Sequence, residues 1–281
     1  MNTTDLYIIT NLTNLHVGSG DANFGTIDNL VQRDPVTDFP LIHSSSLKGA
    51  FREYFMKDTQ DNETPLTRFI FGSHHKSNEK QQGAYNFFEA ELIVFPVRSN
   101  AKPFFRATCP AAIKSLLSKL DLFCPKSSDS KNYKALDALS KLTFKEDKPL
   151  IFVDLQKVIL EKYDAVSKTD FAEKKTCTNI LGENLALFPD KLFKSLVGVN
   201  ALPVIARNQL ENGESKNLWY EEVVPRESKF FTFIARPETN TEFDNNVNGK
   251  VVQIGANATI GYGFCEIQKI DLGKEVDNSN V

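Results

Sequence analysis

Cysteine is scarce in this chain: Cys109, Cys124, Cys177 and Cys265 are the only four in 281 residues, and no two form a Cys-x-x-Cys pair. That spacing excludes a zinc knuckle and a secreted disulfide framework, and leaves four buried thiols as the expectation. Long hydrophobic runs are missing too. No apolar stretch approaches the roughly 20 residues that cross a bilayer, and the first residues lack the basic region and apolar core of a signal peptide. The expectation is a soluble, cytoplasmic protein with no membrane partner. Surplus charge is the third absence: 33 Lys and Arg stand against 36 Asp and Glu, a net charge of -3. A chain that binds nucleic acid through its overall charge is therefore excluded, whereas a local basic face is not. No internal repeat is visible.

What remains is a hydrophobic content of 41%, enough over this length for one substantial core. Leu6 to Thr13 alternates loosely and is rich in β-formers, so it reads as a first strand. His16 to Pro40 follows as a polar loop with Gly18, Gly20, Gly25, Pro35 and Pro40, far longer than the usual connection of about 4 to 6 residues. From Ser44, the residues Leu47, Ala50, Phe51, Tyr54 and Phe55 recur at helical spacing, which predicts an amphipathic helix capped by serine. Residues 58–83 are polar and predict a loop. The alternation of Phe88, Ala90, Leu92 and Val94 predicts a strand ending near Pro96. Residues 110–197 read as mainly helical, with a polar break at Lys126 to Lys131 and a short strand at Leu150 to Val153. Leu218 to Ile234 alternates again, broken by Pro225, and residues 251–268 predict a final strand pair around Gly255, Gly261 and Gly263. The order predicts an α+β domain with an antiparallel, ferredoxin-like sheet carrying insertions.

Several groupings could carry chemistry. The free N–H groups at the start of the helix after Ser44, with Lys48 and Arg52 one turn apart on its polar face, suit a phosphate backbone. An ordinary surface helix with solvated cations fits the same residues. The long loop holds His16, Asp21, Asp28, Gln32, Arg33 and Asp34. One of its carboxylates beside a phosphodiester could hold a divalent ion that promotes attack by the neighbouring 2′-hydroxyl; equally, aspartates in such a loop serve as turn residues. The adjacent His74 and His75 are read as solvated, since neighbours cannot converge on one metal as i, i+4 ligands do. Gly255-Ala256-Asn257 and Gly261-Tyr262-Gly263 would allow close backbone approach to a phosphate, or simply make bulges. Trp219-Tyr220-Glu221-Glu222 offers stacking rings and carboxylates, or strand-pair contacts.

Taken in order, His16-Val-Gly-Ser-Gly, Gly25-Thr-Ile-Asp28, Gln32-Arg33-Asp34 and Ser45-Ser46-Leu47-Lys48-Gly49 resemble the N-terminal signature of RAMP-superfamily CRISPR backbone subunits. Phe71-Gly72, Val94-Phe95-Pro96-Val97-Arg98-Ser99, Leu218-Trp-Tyr-Glu-Glu222 and Gln253-Ile-Gly255 to Gly261-Tyr-Gly263 resemble the type III-B (Cmr) branch in particular, over residues 6 to 267. The sequence departs from that pattern at Gly255-Ala256, where a glycine pair is common, and at Glu89, where a strand aspartate is common.

The resemblance implies an RRM-like palm at about 1–109 and 226–281, helical fingers at about 110–200 and a thumb β-hairpin at about 201–225. It implies copies stacked head to tail along one guide RNA (crRNA), with other Cmr effector subunits, cutting the paired single-stranded target RNA at regular intervals. Asp28 is implied as the cleaving and metal-binding residue, with magnesium as the expected cofactor, and His16 and Glu221 or Glu222 as assisting groups. Ser45, Ser46, Lys48 and Arg52 are implied as guide contacts, with Gly255 and Gly261 lining the same groove. Alternatives are a non-catalytic filament scaffold, the backbone subunit of the related type III-A complex, and a stand-alone guide-processing enzyme. No histidine-tyrosine-lysine set supports the last.

Overall fold

The structure is a computed structural model that describes residues 2–20, 26–57, 63–73 and 80–271. Four long strands make its centre. In chain order they are Asn2–Asn11, Ala90–Arg98, Lys229–Pro237 and Phe264–Ile270. In space the fourth lies beside the first, then the third, then the second, all antiparallel. Helix Ser44–Met56 connects the first two and helix Glu242–Val247 the last two. This is the β-α-β-β-α-β arrangement of a ferredoxin-like core.

The first strand is buried on both faces, which is why its alternation is loose. Leu6 and Ile8 stand opposite Phe233 and Phe231, and that face is covered by Phe123 of helix Pro110–Phe123, whose ring lies 5.5 Å from Phe233. Tyr7 and Ile9 point the other way. There Phe243 collects the rings of Tyr7, Phe51, Phe55 and Phe87 at 5.0 to 5.9 Å, welding helix Ser44–Met56 and helix Glu242–Val247 onto the sheet. Aromatic contacts of this geometry add roughly 0.5 to 1.5 kcal/mol each beyond area burial.

Several sequence expectations are corrected. Residues 58–83 are not loop throughout: Pro65–Phe71 is a helix, with Pro65 in its first turn and the Thr64 hydroxyl accepting from the Thr67 N–H. The strand expected to stop at Pro96 runs to Arg98, with Pro96 paired opposite Arg106. Helix Ser44–Met56 is present, but its N-cap is His43 and no side chain caps it; the serines occupy the first turn. Residues 110–197 are less helical than predicted. Helices Pro110–Phe123, Lys131–Ser140, Lys174–Leu181 and Asp190–Val197 are interspersed with short strands that extend the main sheet. Leu185–Leu187 lies parallel to Phe104–Thr108, so the sheet is mixed rather than wholly antiparallel.

Hairpin strands Val204–Glu211 and Glu214–Glu222 pair with each other and stand outside the main sheet. Asn212 and Gly213 form its two-residue turn, both with positive φ (53° and 86°), the backbone that Asn-Gly supplies at least cost. Among the described residues, no helix is long and apolar enough to cross a membrane.

Candidate RNA-cleavage and guide-binding site

The loop after the first strand is held by isolated backbone bridges, among them Gly18–Val31 and Arg33–Pro40, and by side chains that tie it to its neighbours. Gln32 is its buckle: its amide nitrogen donates to the Gly18 carbonyl at 3.1 Å and to the Ser46 hydroxyl at 3.0 Å, and its oxygen accepts from the His43 N–H at 2.7 Å. Gln32 thereby ties the loop to the start of helix Ser44–Met56. Arg33 fastens the other side, donating to the carbonyls of Asp38 and Val197 and pairing with Glu222 Oε1 at 2.6 Å. Glu222 is fully buried, and its second oxygen accepts from the Val31 N–H. Removing one partner of such a pair would leave an uncompensated buried charge, at a cost of about 3 to 5 kcal/mol. Asp34 accepts from the N–H groups of Val36 and Thr37, so it is a turn residue.

These constraints bring His16, Asp28 and Glu221 together. They line one cleft of about 540 Å³ with Gly18, Asn29 and Ala256. Asp28 is exposed; its Oδ2 accepts from the Tyr220 N–H at 2.8 Å, and its Oδ1 has no hydrogen-bond partner among the described residues. His16 is buried, with Nδ1 2.7 Å from the Glu222 carbonyl. A carbonyl can only accept, so Nδ1 carries the proton and Nε2 holds the lone pair in the neutral ring. A Cβ on Gly18 would stand 3.2 Å from that Nε2, so the absent side chain keeps the nitrogen uncrowded.

Glu221 lines the same cleft but is saturated. Its Oε1 accepts from Trp219 Nε1 at 2.9 Å and from the Asn29 amide, and its Oε2 from Asn257 at 2.9 Å and Arg207 at 3.1 Å. Burial alone would raise its pKa; the Trp219 hydrogen bond, Arg207, His16 and Asn257 outweigh burial and hold the carboxyl below its ordinary value. Neither glutamate is therefore available as a free acid or base: one is saturated, and the other points away into the pair with Arg33. Among the described residues, no three His, Cys, Asp or Glu side chains form a metal-binding group. Among the described residues, Asp28 Oδ1 is the one unengaged carboxylate oxygen at the cleft.

The expected guide contacts separate. Ser45 is exposed, and Lys48 has no ion pair among the described residues; burial and then the nearby Arg52 lower its pKa. Arg52 is not free for phosphate, because its guanidinium donates to the Gly72 carbonyl and lies 3.9 Å from Glu63. Ser46 is engaged by Gln32. Gly255 packs on the loop: at φ +81°, a Cβ there would sit 2.4 Å from the His16 carbonyl. Gly261, also at positive φ, faces open space. Asp21, Gly25, His74 and His75 lie outside the described residues.

Sequence reading missed Gln32 as a buckle, and Arg207, Asn257 and Asn29 as partners of Glu221. The Asn212-Gly213 pair was a usable signal for the hairpin. No local signal marks Arg207 or Asn257, because their roles arise only when distant segments meet.

The sequence profile of the RAMP superfamily matches residues 8–266. The chain belongs to the RAMP superfamily. Within it, the chain is 31% identical over 294 residues to the CRISPR system Cmr endoribonuclease Cmr4 of Pyrococcus furiosus, covering 95% of each protein. Two solved structures share this RAMP architecture. One, the type III-B Cmr-beta apo state, superposes with a TM-score of 0.76 at 24% identity, over 96% of this chain and 98% of that one. The other, type III-B Cmr-beta bound to cognate target RNA, has a TM-score of 0.73 at 25% identity, over 95% and 96%. The III-B branch, rather than III-A, is thus the place of this RAMP chain, as a Cmr backbone subunit.

Proposed function

We propose that this chain is the repeating, RNA-cleaving backbone subunit of a cytoplasmic type III-B effector, binding guide RNA and cutting the paired target RNA at regular intervals. The observation that carries the reading is the meeting of Asp28 and His16 in one open cleft, in a RAMP chain whose 31%-identical relative is named an endoribonuclease. Asp28 is held by one oxygen and, among the described residues, unengaged at the other; His16 presents Nε2. An RNA strand in the cleft offers its 2′-hydroxyl as an internal nucleophile, which DNA lacks. In this reading Asp28 Oδ1 orients the 2′-hydroxyl and His16 Nε2 accepts its proton as the 2′-oxygen attacks phosphorus; the P–O5′ bond breaks, leaving a 2′,3′-cyclic phosphate and a 5′-hydroxyl whose proton comes from the protonated His16 or from water. Glu221 and Glu222 hold the loop in place.

Magnesium remains part of the proposal in one form only. It keeps several waters and is commonly bound through one or two carboxylates plus substrate phosphate, so one free oxygen of Asp28 suits an ion that arrives with the RNA. Such an ion would neutralise charge developing on the phosphate.

Ser45 and Lys48, beside the open first turn of helix Ser44–Met56, are the proposed guide-backbone contacts. Guide RNA, target RNA, further copies of this chain and other Cmr subunits are the proposed partners. The test is Asp28→Asn in a complex reconstituted with guide RNA. Target binding is expected to stay unchanged while cleavage falls at least about 100-fold, the scale of losing the orientation of a reacting group. Cleavage at the wild-type rate would reduce the chain to a scaffold.

A further inference from the structure

We infer that Arg207 and Trp219, on the projecting hairpin, are positioning residues that set the placement of Asp28; this rests on the reading of Asp28 as the cleaving carboxylate. The hairpin stands outside the main sheet, and most of its residues are exposed; beyond its own ladder, its base is bridged to the loop at Asn29–Glu221 and just past it at Leu15–Val224. Yet Asp28 is fastened to it at a single residue. The Asp28 N–H donates to the Tyr220 carbonyl at 3.1 Å, and the Tyr220 N–H donates back to Asp28 Oδ2 at 2.8 Å. The Asn29 N–H shares that carbonyl, and the Asn29 carbonyl accepts from the Glu222 N–H. Wherever Tyr220 is carried, the carboxylate follows.

Tyr220 lies between two residues of one closed cluster. Trp219 and Arg207 stand opposite each other across the hairpin, with the guanidinium 5.6 Å from the ring centre. Both donate to Glu221, Trp219 at Oε1 and Arg207 at Oε2. Asn257, in the turn after strand Lys250–Gln253, donates to the same Oε2 and anchors the cluster to the palm. Added to the anchored base at Glu222, the cluster stiffens the stretch of the hairpin that carries Tyr220 and makes it a fixed support for Asp28. A displacement near 1 Å at a reacting group costs on the order of 100-fold in rate.

The test uses the full complex with guide RNA and compares wild type with Arg207→Ala, Arg207→Lys, Trp219→Phe and Asp28→Asn. Arg207→Ala is expected to lower the single-turnover rate about 10- to 100-fold with target affinity and assembly unchanged, and to spread each cut onto neighbouring phosphodiester bonds. Arg207→Lys keeps the cation beside Glu221 and is expected to recover most of the rate and the sharp cut position. Trp219→Phe keeps the ring but loses the N–H, and is expected to fall between them. A merely structural role would lower assembly or melting temperature and leave the rate and cut position of each bound target untouched; that result overturns the inference. So does wild-type cutting by Arg207→Ala. If Asp28→Asn cuts normally, the underlying reading fails; if it is inactive while the hairpin variants cut normally, only the positioning inference fails.

Discussion

Glu221 and Glu222 are sequence neighbours with opposite surroundings, because successive strand residues face opposite sides. Glu222 turns inward to Arg33, and Glu221 turns toward the cleft, where four donors meet it. Both look like catalytic carboxylates in sequence; the surroundings that make them supports come from residues far along the chain. Since the folded-state pKa of Glu221 is depressed, its contacts contribute stability that is fully present above the ordinary value of 4.5 and is lost as pH falls through the depressed value. The denaturation midpoint of wild type should therefore exceed that of Glu221→Gln by a constant margin at neutral pH. That margin should shrink only below 4.5. A margin that changes between neutral pH and 5 would show that another group titrates there instead.

At the scale of elements, the helix after Ser44, the terminal strand pair and the antiparallel core were legible, because each carries its own period. The helical stripe from Leu47 to Phe55 and the alternation from Phe88 to Val94 are local patterns, and local patterns survive folding. Helix Pro65–Phe71 was not legible, for it is only seven residues long within a polar stretch, and its stability comes from Phe71 packing against Phe55 and Phe87. The strand read at Leu150 to Val153 is present as Leu150–Ile151, whereas Leu185–Leu187 was hidden, because a fully buried short strand shows no alternation. Gly255 shows how one element depends on another. Its turn lies directly on the His16 carbonyl, and the Ala256 N–H donates to that carbonyl at 2.9 Å. Gly255→Ala should destabilise the fold by about 1 to 3 kcal/mol and weaken cleavage by displacing His16. Chemical denaturation beside a cleavage assay checks both; a neutral effect on both would mean that the turn does not support the loop.

For the whole molecule, the near-neutral charge is matched around the cleft by cations that are mostly engaged within the fold. Arg33, Arg207 and Arg52 hold the protein together, while Lys48, at the start of the helix, has no ion pair among the described residues. Affinity for RNA in the proposed filament then comes from repeated modest contacts along one guide. The hairpin also exposes Leu210 and Leu218, apolar surface that no part of its own fold covers. Head-to-tail copies form a heterologous contact that does not close, so filament length must be set from outside the subunit. If each copy makes its own cut, activity belongs to individual subunits. The most direct measurement assembles complexes from wild-type and Asp28→Asn subunits mixed in equal amounts and maps every cut on one target RNA. The account predicts evenly spaced cuts at unchanged positions, each reduced to about half of the wild-type extent, as expected for independent, equivalent sites. Full-strength cutting at every position would contradict it and place the nuclease in another subunit.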